Sequence, residues 1–464
     1  MRNIHKFVYD DNNILLDINS GGIHLADKLT FEMIDYLSLP LSDTCPDSIF
    51  KLFPDFGRLE IKDCYNEIYQ LFLEGALFAD DDYERYAKAD PDVPLKALCL
   101  HVAHDCNLKC EYCFAGTGDF GGERSVMEPE TAKKAIDFLV ENSGSRELLE
   151  IDFFGGEPLM AWDTVTAAVE YARGLEGKSG KRFSFTITTN GLLLDDKKIE
   201  YINNEMTNVV LSMDGRQKVN DLMRKTISGG GSYDLIEPKY KKLVENRKKP
   251  GRTEYYIRGT YTKNNLDFCK DILAINDAGF KEISLEPVIV NEKLPFAITE
   301  KDIPRIKDEY DRLYNIMKKS RYGFNFFHFN IDLKQGPCVI KRLRGCGNGS
   351  EYAAVTPKGD IYPCHQFVGI DQWKMGNIKS DCRLDPKIKK RLQNTHIYSK
   401  DGCVECWARF YCSGGCNATS FIYCGDIKIP HKLSCELMKK RIECAIALYV
   451  SRSLQDEAAW ITEA

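Results

Sequence analysis

No apolar run in the sequence approaches the ~20 residues that a bilayer-spanning helix needs, so no membrane span is expected. The opening residues, MRNIHKFVYDDNN, contain no apolar core of the secretory type, and a cytoplasmic location is the expectation. An excess of one charge sign is also missing. The 63 Lys and Arg against 69 Asp and Glu leave a formal charge of −6, which gives no reason to expect nucleic acid. Hydrophobic residues at 43% and charged residues at 28% exclude a disordered or fibrous chain. Length alone, 464 residues, suggests about three domains. What the chain does have is cysteine, 18 in all. Cytosolic thiols stay reduced, so a disulfide framework is not expected and metal or iron–sulfur ligation is.

Spacing sorts these cysteines. Cys45, Cys64, Cys99 and Cys269 sit singly in apolar surroundings such as ALCLHV and LDFCKDIL and read as small buried hydrophobes. Cys106, Cys110 and Cys113 fall within one loop, HDCNLKCEYCF. The remaining cysteines lie between Cys338 and Cys444, and among them Cys403, Cys406, Cys412 and Cys416 are densest. Clustered structural thiols are the plain alternative for both groups, but chance spacing does not produce such runs at this cysteine content.

Residues 1–85 read as a separate unit. HKFVYDD, ILLDIN and GIHLAD are short strands, parted by Asn-Asn and Ser-Gly-Gly turn signals and followed by amphipathic helices at KLTFEMIDYL and DCYNEIYQLFLEGAL. A proline-broken acidic linker is expected at 86–94. From residue 95 strands alternate with helices: 95–104, 149–156, 183–190, 208–215, 254–263 and 282–290. Alternation of this kind means parallel strands joined by helices. Six units suit an α/β partial (β/α)6 barrel over 95–330, with a six-strand doubly wound sheet as the alternative. The basic stretch 239–252 reads as a solvated helix end. Beyond residue 330 the periodicity weakens, aliphatic residues thin out, and metal clusters are expected to hold 331–464 together before a closing helix.

The cysteine triad follows the first barrel strand, where a barrel places its chemistry. Three cysteines can hold three irons of a four-iron cube and leave the fourth iron open. A zinc site drawing on His101 or His104 is the alternative. Phe153-Phe154-Gly155-Gly156-Glu157-Pro158 ends the second strand, and its bare glycines allow backbone to approach a polar ligand. Thr188, Thr189, Asn190 and Gly191 end the third strand; Ser212, Asp214 and Gly215 end the fourth. Small and polar strand ends are what a bound cofactor requires.

HDCNLKCEYCF and FFGGEP resemble the triad loop and glycine motif of radical S-adenosylmethionine (SAM) enzymes. Cys346, Gly359, Cys364, Cys403, Cys406, Cys412, Cys416 and Cys435 resemble the SPASM extension of that superfamily, which carries two auxiliary clusters. The resemblance implies three [4Fe-4S] clusters, one of them SAM-binding, and S-adenosylmethionine itself as cofactor. It implies ligation of the first cluster by Cys106, Cys110 and Cys113, with Tyr112 against the adenine and Gly155, Gly156 and Glu157 on the methionine ammonium. Thr188, Asn190, Ser212 and Asp214 would contact ribose or carboxylate, and Arg224 would pair with the SAM carboxylate, a task that suits guanidinium. One-electron cleavage would then yield a 5′-deoxyadenosyl radical that abstracts hydrogen, with a donor such as flavodoxin or ferredoxin supplying the electron. Cys403, Cys406, Cys412 and Cys435 would hold the distal auxiliary cluster. Cys346, Cys364 and Cys416 would hold the nearer one, with an open site unless Cys338 closes it. Cys382, Cys424 and Cys444 are weaker candidates.

The first 85 residues resemble the winged-helix-like peptide-recognition domain of peptide-modifying enzymes, which binds a leader peptide as an added strand. Together with PCHQFVG around Cys364, they are most similar to the thioether-forming maturases of cysteine-rich clostridial (SCIFF) peptides. That likeness implies a cysteine-rich precursor peptide with a leader as partner. Two other functions stand beside it. One is a sulfatase-maturing, formylglycine-forming enzyme, whose subfamily has an aspartate where this chain has His365. The other is a non-enzymatic iron–sulfur electron carrier, which needs no strand-end motifs of the SAM type.

Overall fold

A computed structural model of the chain describes residues 3–87, 93–319, 323–333, 338–380 and 384–463, the last nine as backbone only. Residues 88–92, the middle of the expected linker, and Cys382 lie outside the described residues.

The N-terminal strands β1 (Ile4–Tyr9), β2 (Asn12–Asp17) and β3 (Ile23–Ala26) form an antiparallel sheet in that order. The β1–β2 turn falls on Asp10 and Asp11, both at positive φ (48° and 64°), rather than on the Asn-Asn pair that follows. Two left-handed residues make the turn type that matches strand twist, and a short polar side chain tolerates the conformation. The register keeps Leu15 facing Leu29, Met33, Ile61, Tyr65 and Ile68 in a small core of its own. Ile14 and Leu16, on the opposite face of β2, join the main core. This unit is tied to the rest by side chains. The His5 ring stacks on Trp407 at 3.8 Å between centroids, its Nε2 lies 3.1 Å from Glu443, and the Tyr314 hydroxyl donates to Asp10 at 2.7 Å.

Six parallel strands follow: β4 (Ala97–His104), β5 (Leu148–Gly155), β6 (Arg182–Thr189), β7 (Asn208–Ser212), β8 (Glu254–Tyr261) and β9 (Glu282–Pro287). They pair in sequence order, and the end strands β4 and β9 do not pair with each other. The α/β partial barrel expected from the sequence is therefore the observed fold, and the doubly wound order is not. On the β4 side the sheet continues into β10 (Tyr352–Val355), parallel to β4, and then β11 (Asp360–Tyr362) and β12 (Gly376–Asn377) in antiparallel sense.

Alternation along β5 to β8 separates two faces. Ile151, Phe153, Phe183, Phe185, Ile187, Val209 and Leu211 are fully or nearly fully buried in the main core. Asp152, Phe154, Thr186, Thr188, Ser212, Tyr256, Arg258 and Thr260 occupy the other face, less completely covered and mostly polar. Two sequence expectations change here. Arg247, in the stretch read as a solvated basic helix end, is buried and donates to the carbonyls of Met206 (2.8 Å) and Thr207 (2.7 Å) ahead of β7. The C-terminal region also has apolar clusters of its own, around Phe367, Trp373 and Leu392 and around Leu343, Ile397 and Phe410. Aromatic side chains supply the area that the scarce aliphatics do not. No helix among the described residues is long and apolar enough to cross a membrane.

Asp152, on the polar face, has its carboxyl pushed up to about 7 from 3.8, first by burial and then by Glu150. The folded chain thus binds more protons than the unfolded chain between these two values. The carboxyl's contribution to stability is fully present below pH 3.8 and is lost as pH rises through about 7. Asp152→Asn should therefore melt progressively higher relative to the parent between pH 5 and pH 8. A pH-independent difference in Tm would show that Asp152 does not titrate in this window.

Candidate functional site

The loop after β4 carries Cys106, Cys110 and Cys113, all half-buried. It is held from two sides. Leu108–Cys110 pairs antiparallel with Arg224–Thr226, so Cys110 lies opposite Arg224. Asn190 at the end of β6 donates to the Asn107 side chain at 2.7 Å and lies 3.6 Å from the Cys106 sulfur. Gly118, at φ +92°, lets the loop fold back, since a Cβ there would sit 2.7 Å from that of Cys106. Burial raises the thiols of Cys106 to about 11 and Cys110 to about 12, and raises Cys113 as well. A metal bound there must supply the energy of their deprotonation.

Three thiols on one short loop fit a four-iron cube better than zinc. His101 Nδ1 and His104 Nε2 lie 3.1 Å apart and turn to each other, with Phe120 stacked on His104 and tilted against His101. Among the described residues, no group of three or more His, Cys, Asp or Glu is gathered around a single-ion centre.

The glycines of FFGGEP also serve a close approach within the fold. The Gly156 amide donates to Ala103 O at 2.7 Å, and the Glu157 amide donates to Asp105 O at 2.9 Å. A Cβ on Gly155 would lie 2.2 Å from Ala103 O, and one on Gly156 would lie 2.1 Å from Asp105 O. The motif therefore seats the triad loop against β5. Glu157 is fully buried. One carboxylate oxygen accepts from Thr189 Oγ1 (2.6 Å) and Leu159 N (3.0 Å), and the other accepts from Asn190 N (2.7 Å). Burial pushes it up to about 7 against these hydrogen bonds. Three of its acceptor positions are in use, leaving little for an ammonium.

Asp214 is likewise an internal anchor. It accepts from the Tyr112 hydroxyl (2.8 and 2.6 Å to its two oxygens) and from Thr260 N (2.9 Å), with Arg224 Nε at 3.0 Å. The Arg224 guanidinium stands 5.6 Å from the centre of the Tyr112 ring. Direct contacts thus gather Cys106, Cys110, Tyr112, Glu157, Asn190, Asp214 and Arg224. Thr188 and Ser212 stand on the polar face of β6 and β7, half-buried, without a side-chain bond to that group.

The downstream cysteines form two sets. Cys346, Cys364 and Cys416 are close enough for their charges to act on one another, and so are Cys403, Cys406, Cys412 and Cys435. Between Cys412 and Cys416 the chain passes through three successive left-handed residues, Ser413 (φ 56°), Gly414 (78°) and Gly415 (71°). That conformation is uncommon for a serine, and it turns neighbouring cysteines toward different sets. Gly359 (φ 90°) closes the β10–β11 turn that leads to Cys364. Cys338 is exposed at the start of helix Val339–Arg344. Cys424 is half-buried, and Cys444 is buried 3.3 Å from the Tyr9 hydroxyl.

His365, singled out in the sequence for standing where the resemblance asks for an aspartate, packs against Phe114 of the triad loop (5.7 Å between centroids) and Phe154 of β5 (5.1 Å), and burial draws it down to about 4. Sequence reasoning missed this packing, and it missed Arg258, Glu286 and His328. Glu286 lies 3.5 Å from Arg258 and 3.7 Å from His328, which contacts Ser284 at 3.1 Å. The period-two alternation of β8 and β9 was the signal available for these. Gly156→Ala should displace the triad loop and cut its iron, about four per chain, while sparing iron elsewhere. Full iron content in that variant would refute the seating role.

Residues 100–293 match the family model described as the Radical SAM superfamily. The chain is 23% identical over 463 residues to the radical SAM cyclopropyl synthase TigE of Paramaledivibacter caminithermalis, covering 93% of this chain and 92% of that protein. It is 26% identical over 346 residues to a cysteine-type anaerobic sulfatase-maturating enzyme of Clostridium perfringens, covering 70% and 89%. Among solved structures, anSMEcpe with bound AdoMet superposes with a TM-score of 0.62 at 21% identity, over 78% of this chain and 100% of that one. Streptococcus suis SuiB bound to S-adenosylmethionine gives 0.55 at 17%, over 93% and 99%. With the triad loop seated on the glycine motif at the end of β5, this chain carries a radical SAM domain on an α/β fold shared with those structures.

Proposed function

We propose that the chain is a radical SAM maturase that joins cysteine sulfur to carbon, forming thioether crosslinks in a ribosomally made, cysteine-rich peptide. The observation that carries this reading is the three-thiol set Cys346, Cys364 and Cys416, linked to the triad loop through His365, Phe114 and Phe154. Three protein thiols leave a four-iron cluster one ligand short, and a substrate thiolate suits that place. On this reading residues 95–330 are the radical SAM barrel, 331–464 a SPASM region with Cys403, Cys406, Cys412 and Cys435 around a second auxiliary cluster, and 1–85 the leader-recognition unit.

When bound, the clusters and SAM supply one-electron cleavage and a 5′-deoxyadenosyl radical, the electron coming from a donor such as flavodoxin or ferredoxin. The chain's residues orient and enclose. Cys106, Cys110 and Cys113 ligate. Tyr112 and Arg224, fixed by Asp214, offer an aromatic face and a guanidinium for adenine and carboxylate. Gly155 and Gly156 offer backbone carbonyls for the ammonium, with Glu157 behind them. Asn190, Thr188 and Ser212 line the ribose side. Each crosslink forms one carbon–sulfur bond: the hydrogen atom from carbon would pass to the 5′-deoxyadenosyl group, the thiol proton to solvent, and the remaining electron to the bound clusters.

SuiB and anSMEcpe, each solved with a bound peptide, support a peptide substrate, and the extent of the match favours the SuiB side. SuiB has been solved bound to its precursor peptide SuiA. Residues 1–85 are about 18% of the chain, so a 93% match to TigE or SuiB must reach into the N-terminal unit. The sulfatase-maturating relative matches 70%. That relative and the anSMEcpe fold still favour a second reading, formylglycine formation, in which His365 stands where the resemblance asks for an aspartate.

Anaerobic incubation with SAM, reductant and a cysteine-rich peptide should remove two hydrogen masses per link with all sulfur retained, whereas formylglycine formation from cysteine would lose two hydrogens and also replace sulfur by oxygen. Replacing Cys106, Cys110 and Cys113 together by alanine should abolish deoxyadenosine formation and lower iron from about twelve to about eight per chain. Continued deoxyadenosine production would sink the assignment, and a carrier protein would produce none from the start.

The leader edge is best sought on β3. β1 is packed against helices Ile303–Lys318 and Lys432–Glu463 through Tyr9, Asp10 and His5. The Asp17 amide donates to Gly22 O, and Leu15 pairs with His24, so alternation turns the amides of Ile23 and Leu25 outward. Leu25→Pro removes one outward donor without touching the ladder to β2. It should weaken leader binding severalfold, measured by fluorescence anisotropy, and leave uncoupled SAM cleavage unchanged. Unaltered affinity would move the leader off this edge.

A further inference from the structure

Lys400 lies three residues before Cys403 and is 4% exposed. Its Nζ donates to Gly414 O at 2.7 Å. Gly414 is the middle of the left-handed segment that carries the chain from Cys412, in one cysteine set, to Cys416, in the other. The fit is close, since a Cβ on Gly414 would stand 3.0 Å from Lys400 Cδ.

A buried ammonium is costly unless an opposite charge accompanies it. Among the described residues no carboxylate lies within ion-pair distance of Lys400, and one carbonyl cannot replace that charge. The groups whose charge would act on it, once a bound cluster holds them as thiolates, are Cys403, Cys412 and Cys435 from one set and Cys416 from the other. The influence is mutual, since Lys400 acts in turn on Cys403, Cys435 and Cys346.

We propose that Lys400 is the shared counter-charge of the two C-terminal cysteine sets and raises the reduction potential of both clusters they hold. The inference rests on the cluster assignment above. A four-iron cluster with thiolate ligands is an anion whose one-electron reduction adds negative charge. A fixed positive charge beside it stabilises the reduced form, and net charge and hydrogen bonding near the sulfurs are established determinants of cluster potential. Contact with the segment joining the sets makes the effect common to both.

The test uses full-length chain with Cys106, Cys110 and Cys113 replaced by alanine, so that only auxiliary clusters contribute. Lys400→Met and Lys400→Arg are built in that background and titrated with dithionite under EPR, alongside iron analysis. The expected result is about eight irons per chain throughout, both potentials more negative in Lys400→Met, and Lys400→Arg close to the parent. Unchanged potentials in an iron-replete Lys400→Met overturn the proposal, as does an equal shift in Lys400→Arg. If Lys400→Met fails to retain iron, retention by Lys400→Arg supports the counter-charge role and loss in both overturns it. A parent that itself holds no iron in this background refutes the cluster assignment instead, which keeps the two failures distinct.

Discussion

The site depends on a close approach of backbone to backbone. The carbonyls of Ala103 and Asp105 stand so near Gly155 and Gly156 that no side chain fits between them. This contact fixes where the triad loop leaves β4. From there buried polar locks run across the strand ends: Glu157 ties β5 to β6, and Asp214 ties the end of β7 to Thr260 of β8, Tyr112 and Arg224. A satisfied hydrogen bond contributes about 1 kcal/mol net, whereas a buried group left unpaired costs about 1–3 kcal/mol. The locks therefore hold together or fail together. The positions of three thiols on a flexible-looking loop are set by four strands that contain none of them.

The second constraint is topological. Because β9 does not return to pair with β4, the edge of β4 is free to take β10. The strand that launches the triad loop thereby also carries the hairpin leading to Cys364 and His365. Spacing between the two cysteine regions is set through one shared strand, and Phe114 and Phe154 fill the gap. The N-terminal sheet is integrated in a comparable way, since Ile14 and Leu16 share the main core and the His5 ring lies flat on Trp407.

The parallel architecture was legible because its signal is local: apolar residues alternate within each strand and recur with helical period between strands. Spacing alone parted the triad from the downstream cysteines, but it grouped Cys416 with Cys403, Cys406 and Cys412, whereas the fold sets it beside Cys346 and Cys364. The internal partners of Glu157 and Asp214 were not, because each bond joins residues tens of positions apart and nothing in FFGGEP or SMDG distinguishes an acid facing a ligand from one facing its own fold. Arg247 was hidden by its basic neighbours, which suggested solvent when the need was to cap two carbonyls. The C-terminal apolar clusters were underrated because aliphatic content was weighed and aromatic area was not. Arg258, Glu286 and His328 become a group only when β8 and β9 are placed side by side.

The two cysteine regions differ in how their cations are balanced, and that difference follows from burial. At the triad, Arg224 is paired with a carboxylate, Asp214, which offsets part of its charge on the loop. At the downstream sets, Lys400 has a carbonyl as its hydrogen-bond acceptor and the cysteine sulfurs, thiolates once metal-bound, as its charge partners. A neutralised cation leaves an adjacent anion as hard to reduce as its ligands make it, whereas an unneutralised one eases reduction. On the proposed reading the triad is where a strongly reducing electron is delivered and the downstream sets are where an electron is returned from the product-forming step. Those roles call for a low potential at the first and higher potentials at the second. On that reading, a cation paired with a carboxylate at the first site and a lysine without one at the second bias the potentials in that order at sites that offer the same ligand, cysteine sulfur.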